Sequence, residues 1–244
     1  MLGCDCRVSE DIEIAIRLMK KLVIFSGAGI SAESGISTFR DSGGLWEKYP
    51  VEQVASIEGW YENPQLMIDF YNQRRKQLAT VTPNDAHKII AELEKDFQVV
   101  VITQNVDDLH ERAGSSNVIH LHGELTKICS ENGKRFVQDI GYEELQYGKK
   151  AHDGSLMRPF IVWFGEEVPM MESAIKEVIQ ADYMVIIGTS LNVYPAAGLC
   201  HYAAENAKIW LIDPNETQTI NQKIKVIKEK ATVGMRLLKK ELLG

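Results

Sequence analysis

The sequence predicts a doubly wound α/β fold, and three observations carry that expectation. Short β-branched apolar runs recur along the chain, the stretches between them have helical patterning, and a glycine-rich turn directly follows the first run. The runs are Leu22–Ser26 in KLVIFSGAGIS, Val99–Thr103 in QVVVITQN, Tyr183–Ile187 in YMVIIGTS and Ile209–Ile212 in KIWLIDP. Unbroken apolar strands suit a parallel sheet covered by helices on both sides, because neither face meets water.

Between the runs, Pro64–Leu78, Pro83–Asp96, Met171–Ile179 and Ala196–Asn206 are expected to be helices. Asn63 before Pro64 and Thr82 before Pro83 read as N-cap-then-proline starts. Two segments break the rhythm. Residues 33–61 form a long aromatic, glycine-containing stretch, better suited to a loop with short helices than to one crossover. Residues 124–159 hold glycines and charges but no strong apolar run, and read as a small inserted module. The expected division is a core of 22–123 and 160–244 with the module between. The six lysines from Lys223 to Lys240 alternate with apolar residues at helical spacing, which predicts an amphipathic helix on the core.

Composition narrows the function. With 244 residues, 45% hydrophobic and 25% charged, the chain resembles neither a disordered nor a fibrous protein and can bury a real core. Its 27 basic against 34 acidic residues give a net charge of −7, which disfavours nucleic acid and anionic lipid as main partners. No apolar run approaches the roughly 18 residues of a bilayer span. Met1 to Glu10 lacks the order of a secretory signal, and Cys4, Cys6, Cys129 and Cys200 are too scattered for a disulfide framework. A cytoplasmic protein is expected, with a monomer as the default.

The turn Gly27-Ala28-Gly29-Ile30-Ser31-Ala32 fits G-x-G-x-x-A, in which glycines let backbone N–H groups approach a diphosphate. A dehydrogenase of this pattern would carry an acid at the end of its second strand; here that strand ends in Gln104-Asn105. Asp213, after KIWLI, could accept the ribose hydroxyls instead. Hydride transfer is weakened accordingly. TQNVDDLHERAG sets Gln104, Asn105 and Asp107 at the carboxyl end of a strand, where α/β sheets bind ligands, although Asn and Asp also serve as helix caps for 107–113. In HLHGEL, His120 and His122 share a face if the segment is a strand. His122, before Gly123, is placed to act as a base near neutral pH.

Five blocks in order, GAGISAESGISTFRD (27–41), TQNVDDLHERAG (103–114), HLHGEL (120–125), FIVWFGEEVP (160–169) and GTSLNVYPAA (188–197), resemble the sirtuin family of NAD-dependent protein lysine deacylases. The resemblance spans nearly the whole chain and implies a Rossmann-like core. It also implies that NAD is consumed: its glycosidic bond breaks, nicotinamide departs, and the acyl group of a modified lysine passes to the ribose. By the same resemblance Gly27, Ala28, Gly29, Ser31, Phe39 and Arg40 would bind cofactor, with Ser31 and Arg40 at the diphosphate. Gln104, Asn105 and Asp107 would line the ribose and nicotinamide pocket, Asn105 and His122 being catalytic and His122 the general base. Gly188, Thr189 and Ser190 would face the adenosine half. Asp213 stands where the family usually has asparagine, and Ala231 resembles a late adenine contact. An acylated peptide would add as a strand between Val162, Trp163, Phe164, Gly165 and Asn192, Val193, Tyr194, although Trp163 and Phe164 could equally be core.

Tyr71 and Arg74 in IDFYNQRRKQL lie three residues apart on one helical face and resemble the Y-x-x-R pair of sirtuins that remove acidic acyl groups. A guanidinium fork matches a carboxylate bidentately, and a phenol adds a donor. Succinyl, malonyl or glutaryl lysine would supply that carboxylate; acetyl lysine would still fit. Arg75 is the alternative fork. The chain departs from most sirtuins in its module, where only Cys129 and His152 could serve as zinc ligands, so no zinc is expected. Packing around Ile128, Phe136, Ile140 and Leu145 would hold it instead. The competing readings are an NAD glycohydrolase or ADP-ribosyltransferase on the same scaffold, and a non-catalytic NAD-binding regulator.

Overall fold

The computed structural model describes residues 19–36, 48–189, 191, 194–215 and 224–244. The expected strands form β1 (Lys21–Ser26), β2 (Gln98–Thr103), β7 (Tyr183–Ile187) and β8 (Lys208–Ile212), joined by β3 (Val118–His120) and β9 (Ile224–Ile227) in one six-stranded sheet of order β3-β2-β1-β7-β8-β9. Every pairing in it is parallel. The order reverses between β1 and β7, and such a switch point opens a crevice at the strands' carboxyl ends.

Side chains alternate between the two faces, as a two-residue period requires. Leu22, Ile24, Val99, Val101, Val185 and Ile187 point to one side, where Ala86, Ile90, Met235 and Leu238 cover them. Val23, Phe25, Val100, Ile102, Met184 and Ile186 point to the other, under Ala174, Val178 and Leu199. The doubly wound expectation holds because both faces are buried and the runs are apolar throughout.

In chain order the helices are α1 (Gly29–Ala32), α2 (Val51–Val54), α3 (Ile57–Glu62), α4 (Pro64–Leu78), α5 (Asp85–Glu92), α6 (Leu109–Ala113), α7 (Met171–Ile179) and α8 (Ala231–Leu243), with 3₁₀ turns at Leu93–Lys95 and Ala196–Tyr202. Helices α4 and α7 have the expected bounds, and Asn63 caps α4 by accepting from Leu66 N at 3.0 Å. The second N-cap is corrected. Asn84, not Thr82, starts α5: its Oδ1 accepts from Ala86 N at 2.9 Å while its Nδ2 donates to Ile30 O at 2.7 Å, tying the helix to α1. The segment from Ala196 is a 3₁₀ turn, not an α-helix. The lysine-rich stretch is also corrected, since residues 224–227 are an edge strand and the helix begins only at Ala231. Main-chain pairing with β8 decides that outcome, and edge lysines discourage further strand addition.

The inserted segment builds a second, antiparallel sheet of order β5-β4-β6 from β4 (Gly123–Ser130), β5 (Gln138–Asp139) and β6 (Met157–Ile161). Ile128 and Leu145 are buried in it, with Ile140 packed beside them. Phe136 is not part of that core: it is 46% exposed, with the His152 ring edge-on at 5.9 Å. Among the described residues no helix is long and apolar enough to cross a membrane.

Candidate active site

The turn after β1 meets the turn after β7 at the switch point. Gly27 N donates to Ile187 O at 3.0 Å and Gly29 N to Gly188 O at 2.8 Å. A Cβ on Gly29 would stand 2.7 Å from Gly188 Cα, so the glycine is required first by this close approach of two backbones. The N–H groups of Gly27 and Gly29, expected at a diphosphate, point instead at the neighbouring loop. The two turns pack backbone on backbone into a switch-point cradle.

The turn after β2 brings the polar residues against that cradle. Ser31, Asn105, Asp107 and Thr189 are all buried. Asn105 Nδ2 donates to Gly27 O and to Ser31 Oγ, each at 3.2 Å, and Ser31 Oγ donates to Asp107 Oδ2 at 3.0 Å. Asp107 Oδ1 accepts from Leu109 N, which explains why α6 starts at 109 and not at 107. Burial raises the Asp107 pKa, with the Ser31 bond opposing it. Thr189 Oγ1 donates to Gln104 Oε1 at 2.8 Å, which orients the Gln104 amide. Its Nε2 is buried with no partner among the described residues. A donor so placed costs free energy unless something accepts from it.

His122 stands where β3 gives way to β4. Its Nδ1 lies 3.0 Å from Gln104 O. A carbonyl can only accept, so Nδ1 carries the proton and Nε2 is the basic nitrogen. Burial lowers the His122 pKa against the opposing pull of that bond, keeping the ring neutral. Gly123 follows with φ +82°, and any Cβ there would collide with the Phe160 carbonyl. That explains the glycine after the histidine.

On α4, Tyr71 is buried and its hydroxyl accepts from Trp163 Nε1 at 2.9 Å. The Arg74 guanidinium lies 5.7 Å from the Tyr71 ring and 5.9 Å from that of Phe70. Burial lowers the Arg74 pKa, while Tyr71 and Asp107 favour the charge. Arg75 is not a fork for substrate. It is fully buried, with Nε donating to Leu125 O at 2.8 Å and Nη1 to Asn72 Oδ1 at 2.6 Å, and so fastens α4 to the small sheet.

The segment 162–165 runs between these groups. Val162 N donates to His122 O at 2.9 Å and Phe164 N to Ala55 O at 2.8 Å. Trp163 is buried and stacked on Trp60 at 5.5 Å, whereas Phe164 is half exposed. Sequence reasoning gave Arg158 and Glu166 no role. Yet Arg158 Nη1 and Nη2 donate to the two Glu166 oxygens at 2.8 and 3.0 Å, and its guanidinium lies 3.4 Å from the Trp163 ring centre. Two opposite charges flanking the apolar run FIVWFG were the available signal.

The Sir2 family model matches residues 27–195. The chain belongs to the Sir2 family. An NAD-dependent protein deacylase of Bacteroides thetaiotaomicron is 57% identical over 231 residues, covering 92% of this chain and 99% of that protein. One of Helicobacter pylori strain J99 is 54% identical over 226 residues, covering 92% and 96%. Among solved structures, a Sir2 homologue–NAD complex superposes with a TM-score of 0.83 at 38% identity, over 96% of this chain and 93% of that one.

Gly188 and Thr189 lie at the switch point, and Asp213 follows β8 with its Oδ1 accepting from Asn215 N at 2.8 Å. Ala231 is the buried first residue of α8, and Tyr194 is exposed. Phe39, Arg40, Ser190, Asn192 and Val193 lie outside the described residues. Among the described residues no group of three or more His, Cys, Asp or Glu is placed to hold a metal ion.

Proposed function

We propose that this chain is an NAD-dependent protein lysine deacylase of the cytoplasm, a single catalytic domain that removes succinyl, malonyl or related acidic acyl groups and also acetyl. The products would be nicotinamide, O-acyl-ADP-ribose and free lysine. The observation that carries the reading is the Arg74 guanidinium 5.7 Å from the Tyr71 ring, one turn along the same helix. A cation and a phenol at one pocket end suit a carboxylate.

At the switch point the buried Gln104 amide nitrogen, without a partner among the described residues, fits a dinucleotide that accepts from it. NAD, when bound, supplies the ribose carbon that receives the acyl oxygen as nicotinamide leaves. Gln104, Asn105 and Asp107 orient that ribose and exclude water from it. Ser31 and Arg40 belong to the diphosphate end, Phe39 to the cofactor site, and Gly188, Thr189, Ser190, Asp213 and Ala231 to the adenosine. His122, its Nδ1–H fixed by Gln104 O, takes a ribose hydroxyl proton at Nε2. Segments 162–165 and 192–194 flank the acylated peptide. No zinc enters this scheme.

Steady-state turnover of one peptide bearing succinyl- or acetyl-lysine tests the proposal. Strong NAD-dependent desuccinylation that survives a zinc chelator is expected, and His122→Ala should abolish it. Arg74→Met should weaken desuccinylation by about 2–5 kcal/mol in kcat/KM, far more than deacetylation. Equal losses on both substrates would sink the carboxylate fork. Nicotinamide release without any acylated peptide would move the assignment to an NAD hydrolase.

A further inference from the structure

The two histidines of HLH hold successive carbonyls of the turn after β2. His122 holds Gln104 O through Nδ1; His120 Nδ1 lies 3.0 Å from Asn105 O. His120 differs in that its second nitrogen is also engaged, Nε2 lying 2.7 Å from Glu111 Oε1. A backbone carbonyl has no proton to give, and neither has an ionised carboxylate. A ring placed between both satisfies them only with hydrogen on each nitrogen.

From this geometry we infer that His120 is an imidazolium at neutral pH and is a positioning residue, holding Asn105 by its carbonyl while Glu111 holds the charge in place. The consequence for turnover rests on the deacylase reading above; the protonation state does not. Its side chain is 9% exposed, so the charge must be paired to persist.

The neighbouring charges support it. Glu111 faces the ring from α6, and Glu124 from β4 also favours its charge. Burial alone would lower the His120 pKa, but these carboxylates and the Asn105 bond raise it. Burial raises the Glu111 pKa, yet the His120 bond and Lys127 more than offset this, so Glu111 is ionised. Asp107 is stabilised by His120, and His110, deep in the core and neutral, is kept so partly by it.

Once His120 loses its extra proton the ring can serve one acceptor only. The carboxylate is the stronger acceptor and keeps the remaining hydrogen. The bare Nδ1 lone pair then faces Asn105 O, and the turn is released. Asn105 also bonds Gly27 O and Ser31 Oγ through its side chain, so the disturbance reaches the switch-point cradle. An alkaline limb of activity would therefore belong to His120, separate from any acid limb belonging to His122.

Ring-nitrogen NMR of the full-length protein tests the protonation state directly. Both His120 nitrogens should be protonated at pH 7.5, and His122 should be neutral with its hydrogen on Nδ1. The His120→Gln spectrum assigns the signals. Glu111→Gln keeps an acceptor but removes the charge. It should lower the His120 titration by at least one pH unit and cut kcat at pH 8.5 by about tenfold, with KM for the acyl peptide little changed and kcat restored at pH 7. A neutral His120 ring at pH 7 in the unsubstituted protein overturns the inference, as does a Glu111→Gln pH profile that superposes on it. An inactive parent protein with a doubly protonated His120 would overturn the deacylase reading alone.

Discussion

The six-stranded and three-stranded sheets of this protein are held by different forces. All six residues of β1 are buried, and its apolar members alternate into two hydrophobic layers that need no charge. The small sheet has a two-residue exposed strand, β5, and one apolar layer. What fastens it are buried guanidinium groups: Arg75 bonding Leu125 O from α4, and Arg158 paired with Glu166 and also donating to Ile161 O at 2.9 Å. Apolar burial is non-directional and tolerant, whereas removing one partner of a buried ion pair leaves an uncompensated charge at a large cost. The small sheet is therefore the part of the molecule that one substitution can detach. It also carries the support of Tyr71, since Glu166 accepts from Trp163 N at 2.8 Å and Trp163 donates to the Tyr71 hydroxyl.

The strongest way to break this comparison is Arg158→Met. It leaves Glu166 with Lys134 Nζ at 3.1 Å as its remaining cation among the described residues, and should cost about 3 kcal/mol, the low end for a broken buried pair. Hydrogen exchange should accelerate over residues 123–161 while β1, β2 and β7 keep their protection. Equal loss in both sheets would mean that they unfold as one unit and the contrast is false.

A second test reaches the large sheet through pH. His87 on α5 is fully buried, its pKa pushed down to about 4 by burial, and its ring lies 4.9 Å from that of His110. The unfolded chain binds this proton first as pH falls. The stability contributed by the neutral ring is complete above about pH 6.5 and lost as pH falls from there to about 4, roughly 3 kcal/mol in all. Urea midpoints across that window should fall, and His87→Leu should flatten the dependence. His110 and His122, also lowered, act in the same direction. His120, raised, acts oppositely: its contribution is present below about pH 6.5 and lost as pH rises through its folded value.

The smallest effect sharpens the comparison at α4, whose buried residues belong to the core of the small sheet. Asn63→Ala removes the α4 cap and should cost about 1 kcal/mol. Chemical denaturation should register it as a uniform loss, because α4 packs on the small sheet yet reports the stability of the whole.

Much of this was legible in the sequence. The central strands and α4 were readable because continuous apolar runs and an Asn-Pro start leave the backbone few alternatives. Tyr71 and Arg74 were paired by helical spacing, which a long regular helix preserves. The start of α5 was misread because Asn84 serves two masters, capping its own helix and gripping Ile30 O, and the second contact is invisible along the chain. Residues 224–227 have ambiguous periodicity, and only the open edge of β8 made them a strand.

The sequence by itself determined the doubly wound class, the location of the polar turns at strand ends, and the family blocks in their order. These depend on local periodicity and on residue types that lie close along the chain. Tertiary structure alone decided that Arg75 binds the small sheet and Arg74 lies over the Tyr71 ring, that Gly29 exists for Gly188, and that His120 lies between two acceptors. Each of those depends on a partner distant in sequence, and hydrogen bonds and close contacts are set by position in space.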